Sequence, residues 1–497
     1  MHGKLNKIFN KHTLFFISFF ALISQRFFHF GKVIEEPMSW RQFDTEFFAY
    51  AYFRNGINLF KPSVCWLGAH KTLILEFPLI SAIISVFYDM FGHSVVYARL
   101  VIFIFFLASA IYLYLLVKYF YYRRLAAITV FVYFLIPLSV YYSRSINIDF
   151  PVLFFSLAAL YYYVLGFEKE NIYYIALASF LSLLGYLTKA PYIFYIFIPL
   201  LYLIICKKQF SYFFKTFILI ITPVIIFIIW QKYSIGVNSN APDWYFIPGY
   251  LKFDDMWSWY FGNFSDRLNL EFWKKLIFRI VSDEITYIGL PLFITGLFVK
   301  PETYKFKKFF LFYSIGAIIY LLIFFTLNVI HDYYQVPLIV IFSFIIAKGI
   351  DNIYKRLKNN SPVQANLVTG FILIVLIING IWYTERWFYK QDKLRYSTAE
   401  FINKNTSDSS LVISSIDQTD PRDPTILAPS YRYGWSVRTM DLNPKLINLL
   451  KAEGANYLAI VSDKNLNAEL TEYLENYNKQ EIELPKVGWK LLFYKLK

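Results

Sequence analysis

Long apolar runs recur along this chain at close intervals, and few folds are open to a chain built that way. A run of about 17–25 apolar residues is the length that crosses the hydrocarbon core of a bilayer as a helix. Backbone inside that core must satisfy its own hydrogen bonds, which leaves helices as the spanning element for runs of this length. Such runs lie near 13–30, 95–117, 125–142, 150–167, 171–188, 190–206, 212–235, 286–299, 309–329, 333–349 and 366–384. They predict a polytopic α-helical membrane protein with about eleven spans. The composition agrees: the chain is 57% hydrophobic, with a mean hydropathy of +0.44, against about 45–50% apolar for a soluble domain. The stretch 77–91 is apolar but short, and Asp89 ends it, so it reads as an interfacial helix. Thr13–Phe30 is long for the core of a cleaved signal and has no small-residue cleavage site, so it reads as a retained first span.

The charge pattern orients these spans. A net charge of +15 would suggest nucleic acid if it lay on one soluble face. It does not. From Glu385 onward there are 16 Lys+Arg and 15 Asp+Glu, and the excess, 33 against 19, lies in the apolar part. There it gathers in alternate short loops: Lys4, Lys7 and Lys11; Lys118, Arg123 and Arg124; Lys207, Lys208 and Lys215; Lys300, Lys305, Lys307 and Lys308; Lys348, Lys355, Arg356 and Lys358. With the N-terminus inside, every one of these clusters is cytoplasmic, as the positive-inside bias requires. The C-terminus then lies outside.

Segments 31–94 and 236–285 and the tail from 385 therefore fall on the outer side. Residues 1–384 form the predicted membrane domain, with 31–94 as its first external loop, and 385–497 a small extracytoplasmic α/β domain. In that tail Ser397-Thr398-Ala399-Glu400 has the pattern of a capping box that opens a helix. Leu411–Ile416 and Tyr457–Val461 read as buried strands. Pro444–Ala452 reads as a helix closed by Gly454. The topology puts Cys65 and Cys206 on opposite sides of the membrane, which disfavours a disulfide between them. No zinc-type Cys/His cluster, phosphate-binding glycine loop or nucleophile elbow is apparent.

The acids and bases that stand out all lie on the outer side. Asp44 sits in Trp40-Arg41-Gln42-Phe43-Asp44-Thr45, among aromatic residues that could tune its proton affinity for general-base work; a solvated acid or helix cap is the alternative. Glu76 precedes Phe77-Pro78 and is either a ligand or the acidic first turn of a helix. Asp149 begins the fourth span, where an ionisable group is costly unless paired, and Arg144 or Lys189 are its expected partners. Lys189 stands alone between two apolar helices and breaks the positive-inside pattern, which suggests phosphate binding rather than snorkelling to the interface. Arg41, Arg99 and Arg144 add positive charge suited to phosphate. His331 and Tyr334, in His331-Asp332-Tyr333-Tyr334, start the tenth span and could touch substrate or belong to the aromatic belt. No cofactor is required, although Asp44, Glu76 and His331 could together hold a divalent metal. An external enzyme has no cytoplasmic nucleotide sugar to use, so its donor must cross on a lipid anchor.

At these residues the chain resembles the C-type glycosyltransferase superfamily, in the branch of the dolichyl-phosphate-mannose protein mannosyltransferases and the bacterial aminoarabinose transferase of lipid A. The resemblance rests on Arg41–Thr45, Glu76–Pro78, Phe91–Ser94 with Arg99, Tyr142–Arg144 with Asp149, Leu187–Lys189 and His331–Tyr334. In the tail, Arg432–Trp435 and Gly454–Tyr457 also look like that group. It implies a polyprenyl-phosphate-linked sugar donor, an inverting displacement on the outer leaflet of a bacterial inner membrane, and an envelope glycan, glycolipid or exported protein as acceptor. It also implies Asp44 as the catalytic acid of the first loop and Glu76 as a second acid. The aminoarabinose transferase has a lysine beside that second acid, where this chain has Phe77, which shifts the expected phosphate contact toward Lys189 and Arg99. A flippase for lipid-linked sugars, a lipid-linked oligosaccharide ligase or polymerase, and a non-catalytic assembly protein are the competing expectations.

Overall fold

Helices occupy the predicted spans, and their breaks fall where the local chemistry demands. The computed structural model describes residues 20, 22–31, 33–242, 256–300, 305, 308–417 and 419–497. Residues 13–19 of the first predicted span, Lys4, Lys7, Lys11 and Lys307, and 243–255 of the second outer loop lie outside them. The run 125–142 is two helices, Arg123–Leu135 and Pro137–Tyr142. Ile136, forced out of helical geometry by the following proline, has φ −57° and ψ 124°, and Pro137 opens the next helix. The run 190–206 is likewise Pro191–Phe194 and Phe197–Lys207, and the run 309–329 is Phe309–Ile323 and Phe325–Ile330.

Five described helices are long and apolar enough to cross a membrane: Val95–Phe120, Asp149–Lys169, Ile172–Lys189, Phe210–Asn238 and Pro362–Trp387. Their burial separates inner from outer positions. The most apolar window of Asp149–Lys169 is 78% buried within the protein, against 22% for Phe210–Asn238 and 17% for Pro362–Trp387. Apolar side chains such as Phe214, Ile218, Leu367 and Phe371 thus point outward, a surface that water would penalise and lipid would not.

The chain forms two compact units, and neither is one continuous stretch. The first comprises the residues up to Phe30 with Ile102–Ile229 and Asp255–Tyr389, and holds most of the apolar helices. The second comprises Gly31–Val101, Trp230–Asp254 and Lys390–Lys497. The tail in this second unit carries a five-stranded sheet of order β2-β1-β3-β5-β4. Its strands are β1 Leu411–Ile416, β2 Tyr433–Val437, β3 Ala455–Ser462, β4 Asn478–Glu483 and β5 Lys490–Lys495. Strands β2, β1 and β3 run parallel, with Ile413 opposite both Trp435 and Leu458; β5 and β4 complete the sheet antiparallel. The predicted strands and the helix Pro444–Ala452 stand where expected, and Gly454, at φ +108°, makes the turn after that helix. The first tail helix is longer than its capping pattern suggests. It runs Lys393–Asn405, with Asp392 accepting from the Arg395 N–H at 3.1 Å, so Ser397 lies inside it.

Strand β2 would be an open edge, and an open edge invites pairing. Here the loop within 31–94 takes it. Gly68 N–H donates to the Gly434 carbonyl at 2.7 Å, Gly434 N–H donates to the Cys65 carbonyl at 2.8 Å, and Leu67 bridges Trp435 antiparallel. Two glycines permit close packing here, Gly68 of the loop against β2 and Gly434 of β2 against β1. Gly68 has φ +58° with the Trp435 indole where a Cβ would stand, and a Cβ on Gly434 would fall 1.8 Å from the Val412 carbonyl oxygen. Gly434→Ala is expected to destabilise this unit by about 1–3 kcal/mol or more through backbone overpacking. A lower melting temperature of the purified protein checks it, and an unchanged one would contradict this packing.

Candidate active site

The helix Ser39–Asn55 follows Met38, a residue held at φ +51°, and turns Asp44 into the body of the second unit. Asp44 is buried. Trp66, from the loop segment that bridges β2 at Leu67, directs its indole N–H toward Asp44 Oδ1 at 3.4 Å. Burial pushes the carboxyl up to about 7, because a charged group loses hydration there. Arg41 and the Trp66 hydrogen bond pull the value down, Asp423 pushes it up, and Arg422 opposes Asp423; burial is the largest influence. Asp423 itself is fixed by Thr419 Oγ1 at 2.7 Å and by Thr425 through N–H at 2.8 Å and Oγ1 at 2.6 Å. The result is a buried carboxyl that changes charge near neutrality, with a guanidinium on either side in sequence space, one from the loop and one from the tail.

Arg41 and Glu76 form an ion pair, so these two predicted site residues meet. Phe77 packs its ring edge-on to Trp230 at 5.0 Å and is committed to apolar packing. The loop is pinned near there by Asn238, which accepts from the Ile74 N–H at 2.8 Å and donates to the Ile74 carbonyl at 2.9 Å. Ser81 donates to the Thr45 carbonyl at 2.9 Å, which ties the helix Leu79–Phe91 to the Asp44 helix. Arg99 is fully buried and gives its N–H groups to Glu35 Oε2 at 2.8 Å and the Val33 carbonyl at 3.0 Å. It ties the start of the first loop to the helix Val95–Phe120. The expected phosphate contact at Arg99 is thus engaged by a partner the sequence did not single out.

A second polar cluster lies in the first unit. Lys189 Nζ donates to Asp149 Oδ1 at 2.5 Å, with both side chains buried. Of the two expected partners of Asp149, it is Lys189 that pairs. Tyr192 hydrogen-bonds the same carboxylate oxygen and lies 2.6 Å from the Tyr333 carbonyl. The ammonium stands 3.9 Å from the Tyr334 ring centroid and 4.6 Å from those of Tyr192 and Tyr333, an aromatic cage that suits a cation. His331 stacks on Tyr333 at 5.0 Å, and Tyr142 donates to Asp332 at 2.6 Å. Arg144 is buried with its guanidinium 4.6 Å from the Tyr389 ring centroid. Among the described residues no group of three or more His, Cys, Asp or Glu side chains is arranged to hold a metal ion.

Sequence reasoning passed over Trp66, Arg422, Asp423, Tyr192 and Asp332. Asp332 and Tyr192 carried a signal, since each stands within three residues of a residue already singled out. Arg422 and Asp423 lie in Asp-Pro-Arg-Asp-Pro, which reads as a turn and gave none.

Comparison with known proteins follows the same lines. Residues 76–230 match the family described as dolichyl-phosphate-mannose-protein mannosyltransferase. No curated protein matches the whole sequence significantly. The fold is similar to that of ArnT from Cupriavidus metallidurans bound to undecaprenyl phosphate, with a TM-score of 0.64 and 11% identity, covering 96% of each chain. It is also similar to the Archaeoglobus fulgidus oligosaccharyltransferase in complex with Zn and sulfate, with a TM-score of 0.54 and 11% identity over 89% of this chain and 67% of that one. The archaeal oligosaccharyltransferase AglB from the same organism, in complex with an inhibitory peptide and a dolichol-phosphate, gives a TM-score of 0.51 at 10% identity over 89% and 69%. The resemblance read from the motifs thus meets a family match over residues 76–230 and a fold similar to that of ArnT from Cupriavidus metallidurans and of the Archaeoglobus fulgidus oligosaccharyltransferase.

Proposed function

We propose that this protein is a membrane glycosyltransferase that moves a sugar from a polyprenyl-phosphate carrier to an acceptor hydroxyl on the outer face of a bacterial cytoplasmic membrane. The observation that carries the reading is Asp44: a buried carboxyl titrating near 7, in a loop that hydropathy and charge place outside the spans. A general base works best when its pKa lies near the working pH. Asp44 takes the proton of the acceptor hydroxyl as that oxygen attacks the anomeric carbon. The bond to the carrier's phosphate oxygen breaks from the opposite face, inverting the centre and releasing polyprenyl phosphate. Lys189 supplies positive charge for the departing phosphate, and Asp149 with the three tyrosines holds its ammonium in place. Glu76 fixes Arg41 beside Asp44. Arg144, His331 and Tyr334 supply further polar contacts to the substrate in this reading, and Arg99 serves to hold the loop. The transferred group is a hexosyl or pentosyl unit, and the acceptor an envelope glycan, glycolipid or exported protein. The fold's likeness to a protein bound to undecaprenyl phosphate and to one bound to dolichol-phosphate supports a lipid-linked donor.

The test is mass spectrometry of envelope glycans, glycolipids and exported proteins from a deletion strain carrying the wild-type gene or its Asp44→Asn variant. Loss of one monosaccharide that only the wild type restores is the expected result. Equal restoration by both versions, with the variant present in the membrane at normal level, would overturn the assignment and favour transport or assembly.

A further inference from the structure

A cavity of about 400 Å³ opens in the second unit, beside the Asp44 helix and outside the site described above. That volume is within the range of small-molecule sites. Its walls come from both ends of the chain: Phe43 and Glu46 from the first loop's helix, Ser94 and Val95 from the end of that loop, and Tyr396, Glu400, Asn403 and Tyr431 from the tail.

The tail wall is fixed in place. Arg432 is buried and gives its guanidinium to Thr406 Oγ1 at 2.9 Å, the Thr406 carbonyl at 2.8 Å, the Asn403 carbonyl at 3.1 Å and the Tyr431 carbonyl at 3.1 Å, and pairs with the Asp408 carboxylate at 3.2 Å. It thereby locks the end of the helix Lys393–Asn405 to the segment that carries Tyr431. Tyr431 has φ +53°, a conformation costly for a bulky residue and kept only where the surroundings enforce it. Its ring packs at 4.5 Å from Tyr50 and 4.9 Å from His93. On the loop wall, Glu46 is buried, and both of its hydrogen bonds go to one oxygen: Tyr88 donates to Oε1 at 3.3 Å and His93 Nε2 lies 2.9 Å from it. Oε2 is left with none among the described residues. Lys404 is held by Glu400 at 2.7 Å.

The lining is therefore mixed: aromatic rings and the aliphatic Val33, Ile34, Val95 and Pro429 give it apolar faces, Glu46, Glu400 and Asn403 give it hydrogen-bond acceptors, and its one cation is paired. It does not suit a phosphate, and its carboxylate and amide acceptors would go unused by a purely apolar chain. It suits a ring with C–H faces to lie on Phe43, Tyr396 and Tyr431 and hydroxyls to donate to Glu46, Glu400 and Asn403. We propose that this cavity binds a saccharide ring of the acceptor, so that the acceptor is itself glycan in nature. The proposal rests on the transferase reading above and names the substrate class of that reaction. Phe43 and Glu46 flank Asp44 on one helix, so a ring seated there is carried by the element that positions the base.

Saturation-transfer NMR on the full-length protein in detergent tests it, with the methyl glycosides of glucose, galactose, mannose, rhamnose and N-acetylglucosamine as probes. Saturable transfer to at least one probe is expected in the wild type and in Asp44→Asn, weakened tenfold or more by Tyr396→Ala and by Asn403→Ala. Both substitutions are at the cavity rim, and a normal melting temperature shows that they fold. Absence of saturable transfer to any probe, or transfer unchanged in both rim variants, would overturn the proposal. Displacement of the probe by undecaprenyl phosphate would overturn the acceptor assignment, since it would place the carrier there. The envelope profile keeps the two readings apart: if Asp44→Asn loses the monosaccharide while the rim variants bind and transfer as the wild type does, the saccharide cavity falls and the transferase stands.

Discussion

Asp44→Asn is expected to lose transfer by about 10²–10⁴-fold, the usual worth of a positioned general base, and at the same time to fold more stably than the wild type above neutral pH. Both effects come from the same burial. The Asp44 carboxyl is lifted from 3.8 to about 7 in the folded protein. Between those values the unfolded chain has already released the proton and the folded chain still holds it. The unfolded state therefore binds fewer protons, and stability falls as pH rises from about 4 to about 7, then levels off. At about 1.4 kcal/mol per unit, the penalty at pH 8 is on the order of a few kcal/mol. Asparagine keeps the shape and can still accept from Trp66, but carries no charge to desolvate. Melting curves of the two proteins should coincide near pH 4 and separate steadily up to pH 7, with the variant higher. In the wild type, transfer should rise with pH through about 7 and be about a hundredfold lower at pH 5 than its plateau, as the base form becomes scarce. Parallel melting curves across that range would show that Asp44 is not buried as a titrating acid. A rate that is flat from pH 5 to 8 would remove it as the base.

How much of this was legible in the sequence depends on what each feature rests on. The helices were, because hydropathy over about 20 residues is a property of the chain itself. One of the helix breaks was foreseeable from Pro137. The Asp149–Lys189 pair was legible because isolated charges between apolar runs have to find each other. The union of the first loop with the tail was not. It is made by backbone hydrogen bonds between Cys65, Gly68 and Gly434, which leave no periodicity, and by residues more than 350 positions apart. Its trace in the sequence is a pair of glycines, each ambiguous until the partner strand is known. Asp44 could be singled out by its aromatic surroundings and the nearby Arg41, but Trp66 and Asp423, which adjust its proton affinity further, come from that same union. Arg99 was read toward phosphate because its partner, Glu35, sits in a loop stretch with no pattern to mark it.

Lys189→Met is expected to cost both fold and function, and a second substitution should separate the two. Lys189 and Asp149 are buried together, and their attraction offsets the desolvation of both. Removing one partner leaves an uncompensated buried charge, a change that typically costs about 3–5 kcal/mol. Lys189→Met should therefore lower the melting temperature sharply and reduce the protein recovered in membranes. Asp149→Asn added to it removes the stranded carboxylate, and Tyr192 can still bond the amide. The double variant should regain most of the lost stability, since replacing a whole buried ion pair by neutral groups is often close to neutral. If the pair were only structural, transfer should return along with stability. If the ammonium in its tyrosine cage neutralises the departing phosphate, transfer should stay down by about 10²–10³-fold, the scale of losing one preorganised charge at the site of developing charge. The deficit should then lie in the chemical step at saturating donor, because a charge that acts on the leaving group is felt most when the bond is breaking. A double variant that melts normally and transfers normally would remove Lys189 from the reaction and leave its pair with Asp149 as a device of the fold.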